Sequence, residues 1–474
     1  MSTRAPHRGW LLAVLLAGPF MAQADATITN VATPSIHTDL GASGAALELV
    51  VGGYLIAFAV LLITGARLGQ THGYRRVFLL GAGLFTAASL LCGLAPNAIA
   101  LVLARVAQGF GAALMFPQTL TGIQLNFAGS QRARAIGLYA IALSAGAITG
   151  QILGGALISA DLAGSQWRAI FLINLPVGVL VIAAALHHLP PDGQYTPRRL
   201  DLAGAATLGA GLLLLVVPLA LGRGEGWPAW TRLCLTAGAA TVAAFPAVER
   251  RIAAHGGAPL VAVAVLARPA VGWALITLTA ASGTYYALLF TLAQYLQQGL
   301  GRSPLVSGLT LLPWVAAFGL AGQLVRRLPV RAAPIAPVAG CLLLSAAYAA
   351  IAAALFTGHH GEPLLAMLLG AGGLGLGIQF NALIAHLTTI VPANYAPDVS
   401  GVTTTTLQIG GAAGVAAFGT LYLSMSNQGS GGRATHAFAV TTAAFTAIGL
   451  LASAAAHRAT RRTLIAEAPL LLHR

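Results

Sequence analysis

Two ionisable residues, Asp25 and Arg105, lie inside long apolar stretches of this 474-residue chain. A charged group inside a bilayer is costly, so such residues face protein or water and usually serve a function. Asp25 comes about six residues before the predicted outer end of its apolar run, and Arg105 comes about seven residues after the start of its own. Both therefore lie roughly 9–10 Å below the same surface. They can form an ion pair, and a carboxylate that alternates between paired and unpaired states could take up and release a proton. A static pair that only orients two helices is the alternative.

Uncharged polar and aromatic side chains also occur at membrane depth. They suit a cavity that holds an amphipathic solute, although many such groups simply bond to neighbouring helices. For any single aromatic residue, core packing or contact with lipid is the simpler interpretation. The candidates for a substrate cavity are Asn30, Gln108, Gln118, Asn174, Tyr285, Gln294, Gln379 and Asn381.

Three glycines, Gly146, Gly150 and Gly154, recur at a spacing of four residues. This spacing places them on one face of a helix, where the backbone of another helix can approach closely. The spacing alone leaves two functions open, a permanent packing surface and a surface that moves during function.

The chain lacks the motifs of an ATP-driven or covalent mechanism. It contains no lysine, so it cannot form the G-x-x-x-x-G-K-[ST] phosphate loop. The G-x-G-x-x-G match at 370–375 lies within an apolar run, where it favours close helix packing over dinucleotide binding. His359, His360 and Glu362 could form a surface metal site, although solvated residues at the end of a span are the simpler interpretation. We therefore expect no enzymatic activity, no cofactor and no metal, and we expect an ion or substrate gradient to supply the energy.

The composition is that of a membrane protein, with 57% hydrophobic and 8% charged residues. A soluble domain carries about 25% charged residues. Apolar runs of about 20 residues, the length that crosses a bilayer, recur along the chain. They predict an all-α polytopic membrane protein with fourteen transmembrane helices and no room for a soluble domain. The spans are at roughly 10–31, 46–66, 77–95, 98–118, 136–158, 169–187, 202–221, 233–248, 271–294, 304–325, 332–356, 363–384, 399–423 and 437–457.

The arginines provide an independent test of this count, because cytoplasmic loops carry an excess of positive charge. With the N-terminus inside, nineteen of the 25 arginines fall in inner segments. The pattern predicts a cell-membrane protein with both termini cytoplasmic. It also explains the net charge of +14 by positive loops, so the charge does not indicate nucleic-acid binding. A cleavable signal peptide ending near Ala24 is the alternative for the first span. The five outer arginines are Arg168, Arg223, Arg232, Arg302 and Arg433.

Several segments match sequence motifs that occur together in one family of membrane proteins. Residues 25–34 are similar to D-x-T-[IV]-V-N-V-A-L-P, 105–113 to R-x-x-Q-G-x-G-A-A, 150–155 to G-P-x-x-G-G and 167–178 to W-R-W-I-F-x-I-N-x-P-x-G, while 400–401 and 408–412 resemble parts of that family's thirteenth helix. The motifs occur in the family's order and on the expected helices, almost from end to end. Together they resemble the fourteen-helix drug–proton antiporters of the major facilitator superfamily.

The resemblance implies two six-helix pseudo-repeats, at 1–190 and 269–474, with two inserted transmembrane helices at 191–268. It implies that Asp25 and Arg105 couple protons and that the protein is a monomer that moves a small molecule across the bilayer. The substrate site would lie near the midplane. The fifth-helix antiporter motif corresponds to Gly146, Gly150, Gln151, Gly154 and Gly155, and the cytoplasmic gating loop to Arg67, Gln70, Gly73, Arg75 and Arg76.

Two substitutions depart from the family pattern. Gln70 stands where the gating loop should carry an aspartate, so the charge contact of that aspartate must be weakened or replaced. Gln151 stands where the fifth-helix motif should carry a proline, which adds a polar group to the helix interface.

The leading functional hypothesis is a proton-coupled exporter of small amphipathic compounds such as antibiotics, antiseptics or secondary metabolites, working by alternating access. One alternative is a transporter of the same fold with another cargo, such as a lipid, peptide or nutrient. The other alternative is a membrane sensor that no longer transports.

Overall fold

Helices account for nearly all of the chain that the computed structural model describes, at residues 8–161, 164–192, 202–222, 226–255, 268–358, 361–391, 396–426 and 431–471. No strand occurs in those ranges. Thirteen helical segments are long and apolar enough to cross a membrane, and a shorter apolar helix covers Ala203–Leu219. Together they correspond to the fourteen predicted spans, so the all-α polytopic fold class is confirmed.

The first nine helices fold with short connections. The sixth predicted span comprises α6 and α7, which meet at Ile173. The backbone of Ile173 stays helical, with φ −61° and ψ −26°, and at this junction Pro176 cannot donate a hydrogen bond to the Leu172 carbonyl. The bounds are α1 Arg8–Leu40, α2 Gly44–His72, α3 Tyr74–Gly93, α4 Ala98–Asn126, α5 Gly129–Ala160, α6 Ala169–Leu172, α7 Asn174–His188, α8 Leu202–Leu221 and α9 Ala229–Ala254.

The remaining helices follow the same pattern. The first of them ends in a π-helical turn at Tyr295–Gly299, and the tenth span is divided into α11 and α12. The bounds are α10 Pro269–Gln294, α11 Pro304–Thr310, α12 Leu312–Arg326, α13 Ala336–Phe356, α14 Glu362–Ile390, α15 Ala396–Ser426 and α16 Gly431–Leu471.

The contacts divide the described helices into two compact units. The first contains α1 to α9 together with Ser303–Gly308, and the second contains α10 and the chain from Leu309 onward. The inserted pair α8 and α9 groups with the first unit, because α8 packs against both α9 and α2. A separate inserted domain at 191–268 stays a prediction.

The order of helix neighbours is the same within each unit. In the first, α1 packs on α5, α2 on α4, α3 on α4 and α3 on α7. In the second, the corresponding pairs are α10 with α15, α12 with α14, α13 with α14 and α13 with α16. This repetition is what two six-helix pseudo-repeats require.

Prolines inside α1 leave carbonyl groups without their usual helical donors, and threonines replace those donors. Proline lacks the N–H that would bond the carbonyl four residues earlier. The Leu15 carbonyl, four residues before Pro19, accepts a hydrogen bond from the Thr119 hydroxyl of α4 at 2.8 Å. The Asn30 carbonyl, four residues before Pro34, accepts one from the Thr33 hydroxyl at 2.8 Å. Helix α1 can therefore continue to Leu40, well beyond its predicted end at Val31.

Close backbone contact holds α10 against α15 in the second unit. A Cβ atom added at Gly414 would overlap the carbonyl group of Gly283, and one added at Gly410 would overlap the carbonyl oxygen of Thr279. Only glycine permits the two backbones to approach this closely, as small residues do in other membrane helix pairs.

We expect Gly414→Ala to destabilise the protein by about 1–3 kcal/mol, because the added methyl group overpacks this interface. Thermal unfolding of the purified protein in detergent measures the effect. Gly319→Ala on α12 is the matched control, since a Cβ there meets no atom within 4 Å. Equal unfolding temperatures for the two variants would show that α10 and α15 can separate without cost.

Candidate functional site

Asp25 and Arg105 form an ion pair in the interior of the first unit. A guanidinium Nη1 of Arg105 on α4 donates to Asp25 Oδ2 on α1, and both side chains are fully shielded from solvent. The pair that their sequence positions suggested is therefore brought together by the fold. A buried charge pair of this kind needs further hydrogen bonds to offset its desolvation.

Asn174 and Gln108 supply those hydrogen bonds to the second carboxylate oxygen. Gln108 Nε2 on α4 donates to Asp25 Oδ1 at 2.8 Å, and Asn174 Nδ2 on α7 donates to the same oxygen at 2.9 Å. Gln108 Nε2 also donates to Ser89 Oγ on α3 at 2.8 Å. Donors from α4 and α7 therefore meet on one carboxylate of α1, and Ser89 on α3 is joined to it through Gln108.

Arg105 is held from α2 and α6 as well as by Asp25. Its Nε donates to the carbonyl oxygen of Val50 at 3.0 Å, and its guanidinium carbon lies 4.3 Å from the centre of the Tyr54 ring and 5.6 Å from that of Phe171. The Tyr54 hydroxyl in turn donates to the Ala22 carbonyl on α1 at 2.9 Å. The aromatic faces stabilise the cation by cation–π attraction.

The glycine row of α5 faces α1, on which Asp25 lies. Added Cβ atoms at Gly146 and Gly150 would overlap the carbonyl oxygens of Phe20 and Ala24. An added Cβ atom at Gly154 would lie 2.7 Å from a side-chain carbon of Ile28. The glycines and their partners share a spacing of four residues, so one helical ridge fits against another. Within the first unit this face is a packing surface that fixes the position of α1.

The end of α5 also contacts the short segment Ser303–Gly308. A Cβ atom at Gly155 would lie 2.6 Å from the Pro304 carbonyl oxygen, and one at Gly308 would overlap the Gln151 carbonyl. The Ser159 hydroxyl accepts a hydrogen bond from the Leu305 backbone N–H at 3.2 Å. The Gln151 side chain itself turns the other way, because its Nε2 donates to the Thr27 carbonyl on α1 at 3.2 Å.

The cavity candidates of the first unit bond to protein groups. Gln108 and Asn174 contact Asp25, as described above. Gln118 Nε2 donates to the carbonyls of Gly65 and Leu114, and Asn30 Nδ2 donates to the Ala26 carbonyl. Gln118 thereby joins α2 to α4, which is the helix-bonding role that the sequence left open.

The cavity candidates of the second unit are one tyrosine in an aromatic stack and three amide side chains. Tyr285 stacks on Trp314 at 6.3 Å between ring centres, and Trp314 stacks on Tyr348 at 5.9 Å. Gln294 and Gln379 are fully buried, and among the described residues neither side-chain amide has a hydrogen-bond partner. Asn381 Nδ2 donates to the Gly377 carbonyl of its own helix at 2.8 Å.

An aspartate from another part of the chain contacts the junction between α2 and α3. Gln70, which occupies the family's aspartate position, is exposed. Asp192, shortly after the end of α7, accepts hydrogen bonds from the backbone N–H groups of Arg75 at 2.9 Å and Arg76 at 3.1 Å. Gly73 has a φ of 97° and lies directly beneath the Asp192 carboxylate. A carboxylate thereby caps the N-terminus of α3, where the free N–H groups and the helix dipole favour negative charge.

We expect Asp192→Ala to lower the free energy of unfolding by about 1 kcal/mol, the usual cost of a lost helix cap. Thermal unfolding in detergent provides the measurement. Gln70→Ala is the comparison, since an exposed side chain of this kind contributes within about 0.5 kcal/mol. A larger loss of unfolding free energy from Gln70→Ala than from Asp192→Ala would contradict the inference that Asp192, and not residue 70, stabilises this loop.

An ion pair in the first unit ties the end of α1 to the residues just before α6. Trp167 Nε1 donates to Asp39 Oδ2 at 2.9 Å, and Arg168 Nη1 donates to the same oxygen at 2.6 Å. These two donors hold the pKa of the Asp39 carboxyl below its usual value. The W-R pair of the 167–178 motif could have indicated this anchor.

Several residues with long-range contacts in the first unit were absent from the sequence-based prediction. Ser89, Tyr54 and Asp192 carry no pattern that separates them from ordinary residues of their type, so only the fold reveals their contacts. His359 and His360, considered as metal ligands, lie outside the described residues.

Comparison with known proteins identifies the family. The family model described as Major Facilitator Superfamily matches residues 15–415. The chain is 37% identical over 431 residues to a probable actinorhodin transporter of Streptomyces coelicolor, covering 88% of this chain and 73% of that protein. It is 33% identical over 407 residues to the multidrug resistance protein Stp of Mycobacterium tuberculosis, covering 85% and 74%.

The fold matches solved transporters too. A bacterial homologue of the human lysosomal transporter Spinster superimposes with a TM-score of 0.70 at 17% identity, covering 97% of this chain and 98% of that one. At this identity the match concerns the fold alone. The chain is a multi-pass membrane transporter, not an enzyme, and it belongs to the Major Facilitator Superfamily together with that superfamily's drug and antibiotic efflux transporters.

Proposed function

We propose that the protein is a proton-coupled exporter of small amphipathic compounds, and that Asp25 carries the coupling proton. The observation that supports this most is the buried Asp25–Arg105 pair, because an ionisable pair inside a membrane helix bundle is expensive and marks a proton or ion pathway by default. The names of the two relatives, an actinorhodin transporter and a multidrug resistance protein, support an organic compound as cargo.

In the proposed cycle, a proton from outside neutralises Asp25 and weakens its attraction to Arg105. The substrate leaves on the outer side, and the proton then departs into the cytoplasm and restores the ion pair. Alternation follows because the two charge states of Asp25 favour different helix arrangements. The arginine distribution supports cytoplasmic termini. In the proposed cycle the inward proton gradient sets the direction of export.

Candidate cargo contacts come from the aromatic stack of the second unit and from its two buried amides. Tyr285 is half-buried beside Trp314, and Gln294 and Gln379 retain unsatisfied amide groups. Aromatic faces with a few polar groups suit a flat, amphipathic molecule. We propose that a single copy of the chain is the working transporter, with no cofactor beyond the proton gradient.

Drug accumulation in cells tests the proposed export. A bacterial host that lacks its own drug exporters would be given ethidium and a neutral aromatic antibiotic, with and without this protein. We expect lower accumulation of at least one compound in the expressing cells, and a protonophore should abolish the difference. Equal accumulation of both compounds would contradict drug export and favour a lipid, peptide or nutrient as cargo.

A further inference from the structure

Asn174 lies at the junction of α6 and α7 in the sixth membrane span. Helix α6 ends at Leu172 and α7 begins at Asn174, two residues before Pro176, and the Ile173 backbone between them keeps helical dihedral angles. Because proline has no N–H, the Leu172 carbonyl loses its usual helical donor, and such a helix bends more readily. The Asn174 side chain is 8% exposed, and its amide reaches Asp25 Oδ1 at 2.9 Å. A side chain at this weakened junction is therefore attached to the carboxylate that we propose to take up the proton.

The two amides that donate to Asp25 Oδ1 are anchored differently. Gln108 Oε1 accepts a hydrogen bond from Arg105 Nη1 at 2.6 Å, so the guanidinium fixes its orientation. Within the described part of the chain, the Asn174 amide has Asp25 and, at a longer 3.4 Å, the Ser89 hydroxyl as its side-chain partners. The bond from Asn174 is accordingly the one that can break without disturbing Arg105.

Protonation of Asp25 sets up a conflict at this position. A proton on Oδ1 would point at two N–H donors, and a proton on Oδ2 would point at Arg105. Donors that favour the carboxylate disfavour the neutral acid. Uptake of a proton must therefore displace at least one donor, and the weakly anchored Asn174 amide is the group that can move away.

We propose that Asn174 is a positioning residue that sets the proton affinity of Asp25 and transmits its charge state to the junction between α6 and α7. This inference rests on the proposed function only in taking Asp25 as the proton carrier. With Asp25 ionised, the Asn174 hydrogen bond holds α7 against α1. With Asp25 protonated, that bond is lost and the sixth span can bend at this junction, where Pro176 offers the Leu172 carbonyl no donor.

Other ionisable groups surround the pair and belong to the same electrostatic environment. Cys92 Sγ on α3 lies 3.7 Å from Gln108 Oε1, and the Tyr54 ring on α2 lies against Arg105. Glu48 is buried on α2, two residues from Val50, whose carbonyl accepts a hydrogen bond from Arg105. These groups are identical in the wild type and in the variants below. A difference in the pH midpoint of Asp25 between wild type and an Asn174 variant therefore reports on Asn174.

The test uses Asn174→Leu, which keeps the shape of the side chain and removes the amide. Infrared difference spectroscopy of the purified protein follows the protonated carboxyl band that disappears in Asp25→Asn. Loss of one hydrogen bond to the carboxylate should move the midpoint of this band to more alkaline pH by about one unit. The pH optimum of transport should shift in the same direction. Asn126→Leu, at a half-buried amide on α4 that bonds Tyr74 and Gly122, should leave the midpoint unchanged.

An unchanged midpoint in Asn174→Leu would overturn the proposal. If that variant does not fold, Asn174→Ala makes the same prediction with a smaller side chain. The spectroscopic midpoint does not depend on transport. An alkaline shift together with transport that ignores the pH gradient would therefore uphold the role of Asn174 and refute proton coupling.

Discussion

Asp25→Asn should reduce transport driven by a pH gradient to the level of protein-free liposomes. Asparagine has the shape of aspartate but cannot take up a proton, so the partner of the Arg105 guanidinium stays neutral throughout the cycle. The measurement is uptake of an exported compound into proteoliposomes with an imposed pH gradient. Downhill exchange of the compound without a pH gradient should survive, because the fold and the substrate contacts remain.

Asp39→Asn is the matched control for this variant. Asp39 lies on the same helix and also forms an ion pair, with Arg168, but its side chain is 27% exposed and its hydrogen bonds go to Trp167 and Arg168. We expect gradient-driven uptake to persist in Asp39→Asn. If Asp25→Asn transported as well as Asp39→Asn, the coupling proton would have to reside on another group.

Arg105→Leu should destabilise the protein by about 3–5 kcal/mol, because it leaves the buried Asp25 carboxylate without its counter-charge. The double variant with Asp25→Asn should recover most of this loss, since no unpaired charge then remains. Neither protein should show gradient-driven transport. Thermal unfolding in detergent and the liposome assay together measure both effects.

Arg302→Leu shows what an exposed pair contributes. Arg302 and Glu362 form an ion pair whose side chains are 49% and 66% exposed, and pairs of this kind are worth about 0–1 kcal/mol. An Arg105→Leu loss no larger than that of Arg302→Leu would show that Asp25 is already neutral in the folded protein. The Asp25–Arg105 ion pair would then be the wrong starting state of the cycle.

The helical fold could be predicted from sequence because bilayer thickness sets a length that apolar runs reveal directly. The ends of the helices were harder to predict. Thr119 replaces the helical donor that Pro19 lacks, and this depends on which helix lies beside α1 in the folded chain. The junction of α6 and α7 likewise follows from the missing donor of Pro176, which hydropathy does not register.

The candidate site was predictable only where an ionisable residue stood alone in an apolar run. Asp25 and Arg105 met that condition. The hydrogen bond from Asn174 to the Asp25 carboxylate could not be predicted in this way. An amide 149 residues away in sequence could equally have faced a cavity. Asp192 was missed for a related reason, because a carboxylate that caps a helix from another loop leaves no local pattern.

Proton movement caused by substrate is the most direct test of coupling. Purified protein would be placed in liposomes that contain a pH-sensitive dye, with no initial pH difference, and a compound that passes the accumulation assay would be added outside. Entry of the compound should expel protons and make the lumen more alkaline for the wild type, with no change for Asp25→Asn. Entry of the compound into wild-type liposomes at constant lumenal pH would contradict proton antiport.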